Sequence, residues 1–140
     1  MNEPIAPREA GEEQPVLLVA ASWRERAFLL AELEERGYTV RALPGIIQAI
    51  GALVRHPHVR PSLVILDLAA DPGITERALA DLLDLTAPAP WIVIQPTTRR
   101  APGQHLLHSP RVHLFPRPVR VGDIVDQAAI LLGQKGAQTP

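Results

Sequence analysis

Residues 61–67, Pro-Ser-Leu-Val-Ile-Leu-Asp, contain four consecutive large aliphatic side chains that end abruptly in a carboxylate. Such a run, without alternating polar positions, is typical of a strand that is buried on both faces in the centre of a parallel sheet. Asp67 then lies at the carboxyl end of that strand, which is the edge where open α/β sheets bind ligands. A strand-end Asp is also often no more than a hydrogen-bond acceptor in a turn, so residue type and position leave both interpretations open.

Apolar runs and helical patterns alternate along the rest of the chain. Such alternation predicts a parallel sheet with helices on both faces and right-handed crossovers, that is, an α/β fold with a doubly wound, five-stranded parallel sheet. The remaining strands are predicted at residues 15–21, 38–42, 91–94 and 112–115, and the helices at residues 22–36, 45–55, 75–85, 104–108 and 121–132.

The ends of the chain differ in composition from its centre. Residues 1–14 carry four glutamates and two prolines with little apolar surface, which predicts a flexible acidic arm. Residues 15–133 have the length and apolar content of one ordinary domain. Residues 134–140 are predicted to form a flexible tail.

The first two predicted helices have recognisable ends and apolar faces. Ser22 and Glu25 have the S-x-x-E spacing of a capping box, in which each side chain binds a backbone N–H of the other residue. Gly37 is placed as the glycine that ends the first helix. The predicted buried faces consist of Trp23, Ala27, Leu30 and Leu33 in the first helix and of Ile46, Ile47, Ile50, Leu53 and Val54 in the second.

Composition excludes several classes of function. The chain has no cysteine, which excludes disulfides, zinc–thiolate sites and thiol nucleophiles. No run approaches the roughly 20 apolar residues of a membrane span, and the N-terminus lacks the pattern of a signal peptide. We therefore expect a cytoplasmic location and no membrane contact. The net charge of −1 provides no overall attraction to nucleic acid, which makes nucleic acid an unfavoured partner.

The sequence resembles the receiver domain of two-component response regulators in three segments. These are the first strand, the stretch that ends at Asp67, and residues 114–118, Leu-Phe-Pro-Arg-Pro. The resemblance covers residues 15–133. It implies a flavodoxin-like sheet with the strand order 2-1-3-4-5, and it places Asp67 at the phospho-acceptor position. The acidic pair that the family shows after its first strand falls on Ala20 and Ala21.

Two further receiver positions are also altered. The Thr or Ser after the fourth strand falls on Gln95, which has no compact hydroxyl to follow a phosphoryl group. The Lys after the fifth strand falls on Arg117. Pro118 is retained, and in this family the peptide bond before that proline is often cis.

These departures remove the ligands with which receivers hold magnesium. Mg²⁺ requires near-octahedral oxygen ligation, and the methyl groups of Ala20 and Ala21 offer no oxygen. Since phosphoryl transfer depends on positioning and charge neutralisation, we expect a degenerate pseudo-receiver with Mg²⁺ binding lost, no cofactor, and impaired phosphorylation. We also expect Arg117 to pair directly with Asp67, because a guanidinium can bind a carboxylate with two donors.

The resemblance implies a non-catalytic signalling module that acts through protein–protein contacts and is not an enzyme. The implied partner is a protein, such as a histidine kinase or a regulator, or a second copy bound through the face of roughly residues 104–132. One alternative is a functional phosphorelay response regulator that a histidine kinase phosphorylates on Asp67. Another is a small flavodoxin-like ligand-binding protein or enzyme, although the chain has neither a nucleophile–base pair nor a glycine-rich phosphate loop.

The histidines and the arginine-rich stretch 99–120 can each be interpreted as a functional site or as solvated surface residues. His105 and His108 share a helix face, but no third ligand has a suitable spacing, which favours solvated histidines over a metal site. The stretch 99–120 is basic and has no acidic residue, which indicates either a surface for an acidic partner or a solvated face. The arginines in question are Arg99, Arg100, Arg111, Arg117 and Arg120.

Overall fold

A computed structural model describes residues 14–96 and 104–137, with side chains described up to residue 133. In this part of the chain, five strands form one parallel sheet in the order β2-β1-β3-β4-β5. The doubly wound α/β fold and the strand order implied by the resemblance are therefore confirmed. The strands are β1 (Val16–Val19), β2 (Val40–Leu43), β3 (Leu63–Asp67), β4 (Trp91–Gln95) and β5 (Val112–Pro116).

Helices connect the strands and cover both faces of the sheet. Within the described residues, four are α-helices, and the predicted fourth helix is a short 3₁₀ helix at Gln104–His108. The closing helix continues to Ala137, beyond its predicted end at Leu132. Residues 1–13 of the predicted arm and the last three residues of the predicted tail lie outside the described part. The α-helices are α1 (Trp23–Glu35), α2 (Ile46–Arg55), α3 (Glu76–Thr86) and α4 (Val121–Ala137).

The core consists of two apolar layers, one on each face of the sheet. Successive strand side chains point to opposite faces, so each central strand supplies both layers, and β1 and β3 are buried along their whole length. Val19, Leu66 and Val93 pack with α2, α3 and the 3₁₀ helix, whereas Leu18 and Ile65 pack with α1 and α4. Because each fully buried aliphatic side chain stabilises the fold by roughly 1.5–3 kcal/mol, these layers hold the strand ends in fixed positions.

The buried faces of α1 and α2 differ from those that the sequence pattern predicts. In α1, Leu29 and Leu33 are buried, whereas Trp23 is 68% exposed, and Ala27 is also exposed. The prediction for Trp23 and Ala27 was therefore wrong, because apolar residues occupy two sides of this helix. In α2, Ile46, Ala49 and Leu53 are buried, but the predicted core residues Ile47 and Val54 are exposed.

Side chains from outside the helices fix the loops at the carboxyl edge of the sheet. α2 begins at Gly45, which has no side chain to cap it, and Asp71 from the loop after β3 accepts a hydrogen bond from the Ile46 N–H at 2.8 Å. The same carboxylate accepts from the Gly73 N–H at 2.9 Å. Asp71 therefore fastens the loop that follows Asp67 to the start of α2. As predicted, Gly37 follows α1 with a positive φ of 94°.

Candidate functional site

Asp67 and Arg117 meet at the carboxyl edge of the sheet. Asp67 is the last residue of β3 and is only 2% exposed. Arg117 directly follows β5, and its two terminal nitrogens donate to the two carboxylate oxygens of Asp67 at 2.8 and 2.7 Å. The expected pair is thus present, and it has the two-point geometry that a guanidinium forms with a carboxylate.

Glu25 is a third member of this cluster, although its S-x-x-E spacing predicts a capping role. Its Oε1 accepts a hydrogen bond from Nη2 of Arg117 at 2.5 Å. Ser22 caps α1 as expected, since its Oγ accepts from the Glu25 N–H at 3.3 Å. The other half of the predicted capping box is absent from the described hydrogen bonds, because the Glu25 carboxylate binds Arg117 instead.

The two alanines at the position of the receiver acidic pair lie beside the cluster but contribute no side-chain donor or acceptor. Ala20 is fully buried directly after β1, and Ala21 is half-buried. Their carbonyl oxygens accept from Nη1 of Arg26 at 2.7 and 3.4 Å, respectively. Arg26 thus binds the main chain of Ala20 and Ala21 at the carboxyl edge of the sheet.

Gln95 and Pro118 help to position Arg117 through the main chain. The Arg117 N–H donates to the carbonyl of Gln95, the last residue of β4, at 3.2 Å. The peptide bond between Arg117 and Pro118 is cis, as the resemblance implies. On the other side, the Ala69 N–H donates to Oδ1 of Asp67 at 2.9 Å, so the buried carboxylate accepts three hydrogen bonds in all.

The charges of the cluster shift the proton affinities of Arg117 and Glu25. The hydrogen bond and charge of Asp67, with those of Glu25, raise the pKa of Arg117 above its ordinary value, so the guanidinium is charged at every accessible pH. Partial burial and the neighbouring carboxylate of Asp67 raise the pKa of Glu25, and Arg117 offsets only part of this rise. The arrangement is two carboxylates around one permanent cation.

The residues at this edge do not fit a magnesium ion of the kind that receivers bind. Both oxygens of Asp67 already accept hydrogen bonds from Arg117, and the guanidinium occupies the space next to them. Glu25 is the nearest further carboxylate, and it binds the same cation. A hard dication needs several free oxygen ligands at close range, whereas here a cationic side chain neutralises the carboxylates.

The histidines and the arginine-rich stretch do not form a second site in the described residues. His105 Nε2 lies 2.9 Å from Glu76 Oε2, in an exposed pair that joins the 3₁₀ helix to α3. Arg111 lies before β5 and donates to the Leu83 and Ala89 carbonyls at the opposite edge of the sheet from Arg117. These two arginines therefore do not share a surface, and Arg99 and Arg100 lie outside the described part.

A groove of about 970 Å³ opens at the amino edge of the sheet, away from Asp67. Its walls come from the end of α2, the loop before β3, the end of α3 and the loop before β4. This position differs from the crevice between β1 and β3, where ligands of flavodoxin-like proteins are expected. The lining includes Val54, Val59, Arg60, Asp84, Leu85 and Pro88.

No protein-family model and no curated protein matches the sequence. Solved structures match it closely in fold. A CheY-like response regulator receiver domain protein from Methanospirillum hungatei JF-1 is 14% identical, with a TM-score of 0.70 over 90% of this chain and 98% of that chain. A response regulator receiver protein from Sinorhizobium medicae WSM419 is 16% identical, with a TM-score of 0.69 over 87% and 96%.

A third similar structure is described as an adenylate cyclase from Rhodopirellula baltica, at 13% identity and a TM-score of 0.61 over 90% of this chain and 97% of that chain. At these identities the likeness shows the fold, and the chain has the fold of response-regulator receiver domains. No helix in the described part of the chain is long and apolar enough to cross a membrane.

Proposed function

We propose that this chain is a non-catalytic signalling module with a receiver fold, in which magnesium-dependent phosphorylation of Asp67 is impaired. The observation that supports this proposal is the two-point contact between Arg117 and Asp67. A phospho-acceptor needs a carboxylate oxygen that can approach phosphorus, and here both oxygens are held by a guanidinium. Glu25 holds the same guanidinium from the other side, which makes its withdrawal more costly.

The absence of carboxylates at Ala20 and Ala21 supports the same proposal. In a receiver, metal-bound charge neutralises the incoming phosphoryl group, and transfer depends mainly on that neutralisation and on positioning. Arg117 supplies positive charge, but the charge is already balanced by two carboxylates. We therefore propose that the module takes one state at this edge and does not switch by phosphorylation.

A module of this kind transmits information by binding. We propose that the partner is a protein, that the chain acts in the cytoplasm, and that it is not an enzyme. The face formed by the 3₁₀ helix, β5 and α4, roughly residues 104–132, is a candidate surface for such a partner. Ile130 is a large apolar side chain on this face that is left 52% exposed.

The proposal is tested by incubating the protein with a small acyl-phosphate donor and Mg²⁺ and measuring its intact mass. We expect no adduct on the unmodified protein and no magnesium binding by calorimetric titration. The variant that combines Ala20→Asp, Ala21→Asp and Arg117→Lys should gain both properties, because it restores the metal ligands and frees one oxygen of Asp67. Adding Asp67→Asn to that variant is the matched control and should abolish the adduct.

The second candidate is a functional phosphorelay regulator. One observation favours it: Asp67 is retained at the carboxyl end of β3, where a receiver accepts its phosphoryl group, and a cation lies beside it. A labile phosphoryl adduct that maps to Asp67 in the unmodified protein would establish this candidate and refute the first one. Transfer from a phosphorylated histidine kinase should then be faster than transfer from the small donor.

A further inference from the structure

The outward side of α1 carries two aromatic side chains that the fold leaves in solvent. Trp23 is 68% exposed and Phe28 is 59% exposed, although the same helix buries Leu29 and Leu33 against the sheet. A surface helix normally has one apolar stripe, and large exposed apolar groups on a second side indicate a binding surface. α1 therefore has a second apolar face that the monomer does not cover.

Helical spacing defines this outer face of α1. At roughly 100° per residue, Ala27 and Ala31 fall between Trp23 and Phe28 on the side opposite Leu29 and Leu33. Both alanines are exposed, and their small side chains leave room for a larger side chain of a partner. The outer face consists of Trp23, Arg24, Ala27, Phe28, Ala31 and Glu35.

The charges at the two ends of the outer face have opposite signs. Arg24 lies in the first turn, with its guanidinium 5.9 Å from the centre of the Trp23 ring. Glu35 lies in the last turn, is exposed, and has no ion-pair partner within residues 14–96 and 104–133. An outer face that is basic at its start and acidic at its end is complementary to an antiparallel copy of itself.

We propose that the occupant of this face is a second copy of the chain, which packs α1 against α1 in antiparallel orientation around a twofold axis. The register that places Arg24 opposite Glu35 of the second copy also places Phe28 opposite Ala31 of the second copy. Both contacts occur twice, as a self-complementary twofold interface requires. The Phe28 ring of each copy then packs against Ala31 of the other copy.

The size and the position of the contact determine how the dimer behaves. Two crossed helices bury less surface than a standard stable interface, so we expect a reversible monomer–dimer equilibrium and not an obligate dimer. Asp67 and Arg117 take no part in the contact, so the dimer can be tested separately from the phosphorylation of Asp67. The alternative face at residues 104–132 offers one exposed aliphatic side chain, Ile130, in place of two aromatic rings.

Analytical ultracentrifugation of the full chain over a range of concentrations tests the inference. We expect a monomer–dimer equilibrium that Phe28→Ala weakens by about tenfold or more, since each dimer loses two aromatic anchors. Ile130→Ala is the matched control on the other candidate face and should leave the equilibrium unchanged. A protein that stays monomeric at all concentrations, or a dimer that responds to Ile130→Ala and not to Phe28→Ala, overturns the inference.

A charge exchange tests the orientation of the helices. Arg24→Glu and Glu35→Arg should each weaken the dimer, because each places like charges opposite one another, whereas the double variant should regain the original dissociation constant. Two single effects that add in the double variant would rule out the antiparallel register. A monomeric wild-type protein would also overturn the inference here, whatever the fate of the phosphorylation experiment.

A cross-linking experiment tests the contact without disturbing the fold. The chain has no cysteine, so Ala31→Cys introduces a single thiol on an exposed position of the outer face. In the proposed register the two introduced thiols, one from each copy, are offset by only about 4.5 Å along the helix axes. A short bis-maleimide should therefore link Ala31→Cys into a dimer, while the control Val54→Cys, at a position that is also exposed, should stay monomeric. The reverse pattern refutes the contact.

Discussion

Arg117→Ala is expected to destabilise the protein far more than the loss of an ordinary surface charge. Asp67 is 2% exposed and accepts three hydrogen bonds, two of which come from Arg117. The substitution leaves a buried carboxylate with a single donor, the Ala69 N–H. Removing one partner of a buried ion pair costs about 3–5 kcal/mol, because the other charge stays buried without compensation. The side chain of Arg117 is 20% exposed, so water can reach the vacated space, and we expect about 3 kcal/mol.

A double-mutant cycle with Asp67→Asn measures the interaction energy between Asp67 and Arg117 apart from their other contacts. Asp67→Asn removes the buried charge, and Arg117 keeps its contact with Glu25, so this change alone should cost about 1–2 kcal/mol. In the Asp67→Asn background, Arg117→Ala no longer strands a buried carboxylate. Its cost should fall to about 1 kcal/mol, which gives a coupling energy of about 2 kcal/mol between the two residues.

The measurement is urea-induced unfolding of the four proteins at pH 7, with a check that the slope of the free energy against urea is unchanged. Arg36 and Asp126 provide a matched control, since they form an ion pair at 3.0 Å with side chains 42% and 67% exposed. Arg36→Ala should cost only about 0–1 kcal/mol. If the effects at Asp67 and Arg117 are additive within about 0.5 kcal/mol, the two side chains do not interact and the explanation of the site is wrong.

Two further predictions concern Glu25 and Asp71. Because burial and Asp67 raise the pKa of Glu25, the folded protein binds that proton more tightly than the unfolded chain, so stability falls as pH rises from the unfolded pKa through the folded one. Glu25→Gln should reduce this fall in urea midpoints measured between about pH 4 and pH 7, and an unchanged pH profile would contradict the shift. Asp71→Ala should cost about 1–2 kcal/mol by urea unfolding, because α2 loses its only described N-terminal side-chain cap. Thr75→Ala, which removes the side-chain cap of α3, is the comparison. An Asp71→Ala variant as stable as wild type would exclude the capping role of Asp71.

The sheet could be predicted from the sequence because its strands are buried on both faces. A continuous aliphatic run such as Leu63–Leu66 is typical of a central parallel strand, and the segments between such runs have the lengths of helical crossovers. The order of the strands came from the receiver resemblance. The buried faces of α1 and α2 could not be read from apolar spacing, because both helices carry apolar residues on the side that faces solvent, such as Phe28 and Val54.

The Asp67–Arg117 pair could be predicted because its members follow directly after two strands of the same parallel sheet. A residue at a strand end has a fixed place at the carboxyl edge, so residue type and position are sufficient. Its neighbours Ala20 and Ala21 could be placed for the same reason. Gln95 could be placed as well, although its contribution to Arg117 comes from its backbone carbonyl and not from its side chain.

The contact of Glu25 with Arg117 could not be predicted from local spacing. Its position in S-x-x-E satisfies a local rule, and a capping box uses the glutamate to bind the N-terminal backbone of its own helix. Arg117 offers the same carboxylate a hydrogen bond from a charged donor, whereas the capping box offers only a neutral N–H. Such a competition is decided by a residue 92 positions away in the chain. The sequence did contain one usable signal: Glu25 lies one helical turn beyond Ala21, at the sheet edge where Ala20 and Ala21 leave the receiver carboxylates missing. The Glu25 carboxylate reaches the sheet edge from α1 and neutralises part of the charge of Arg117. It does so without the pair of acidic residues that would bind a metal.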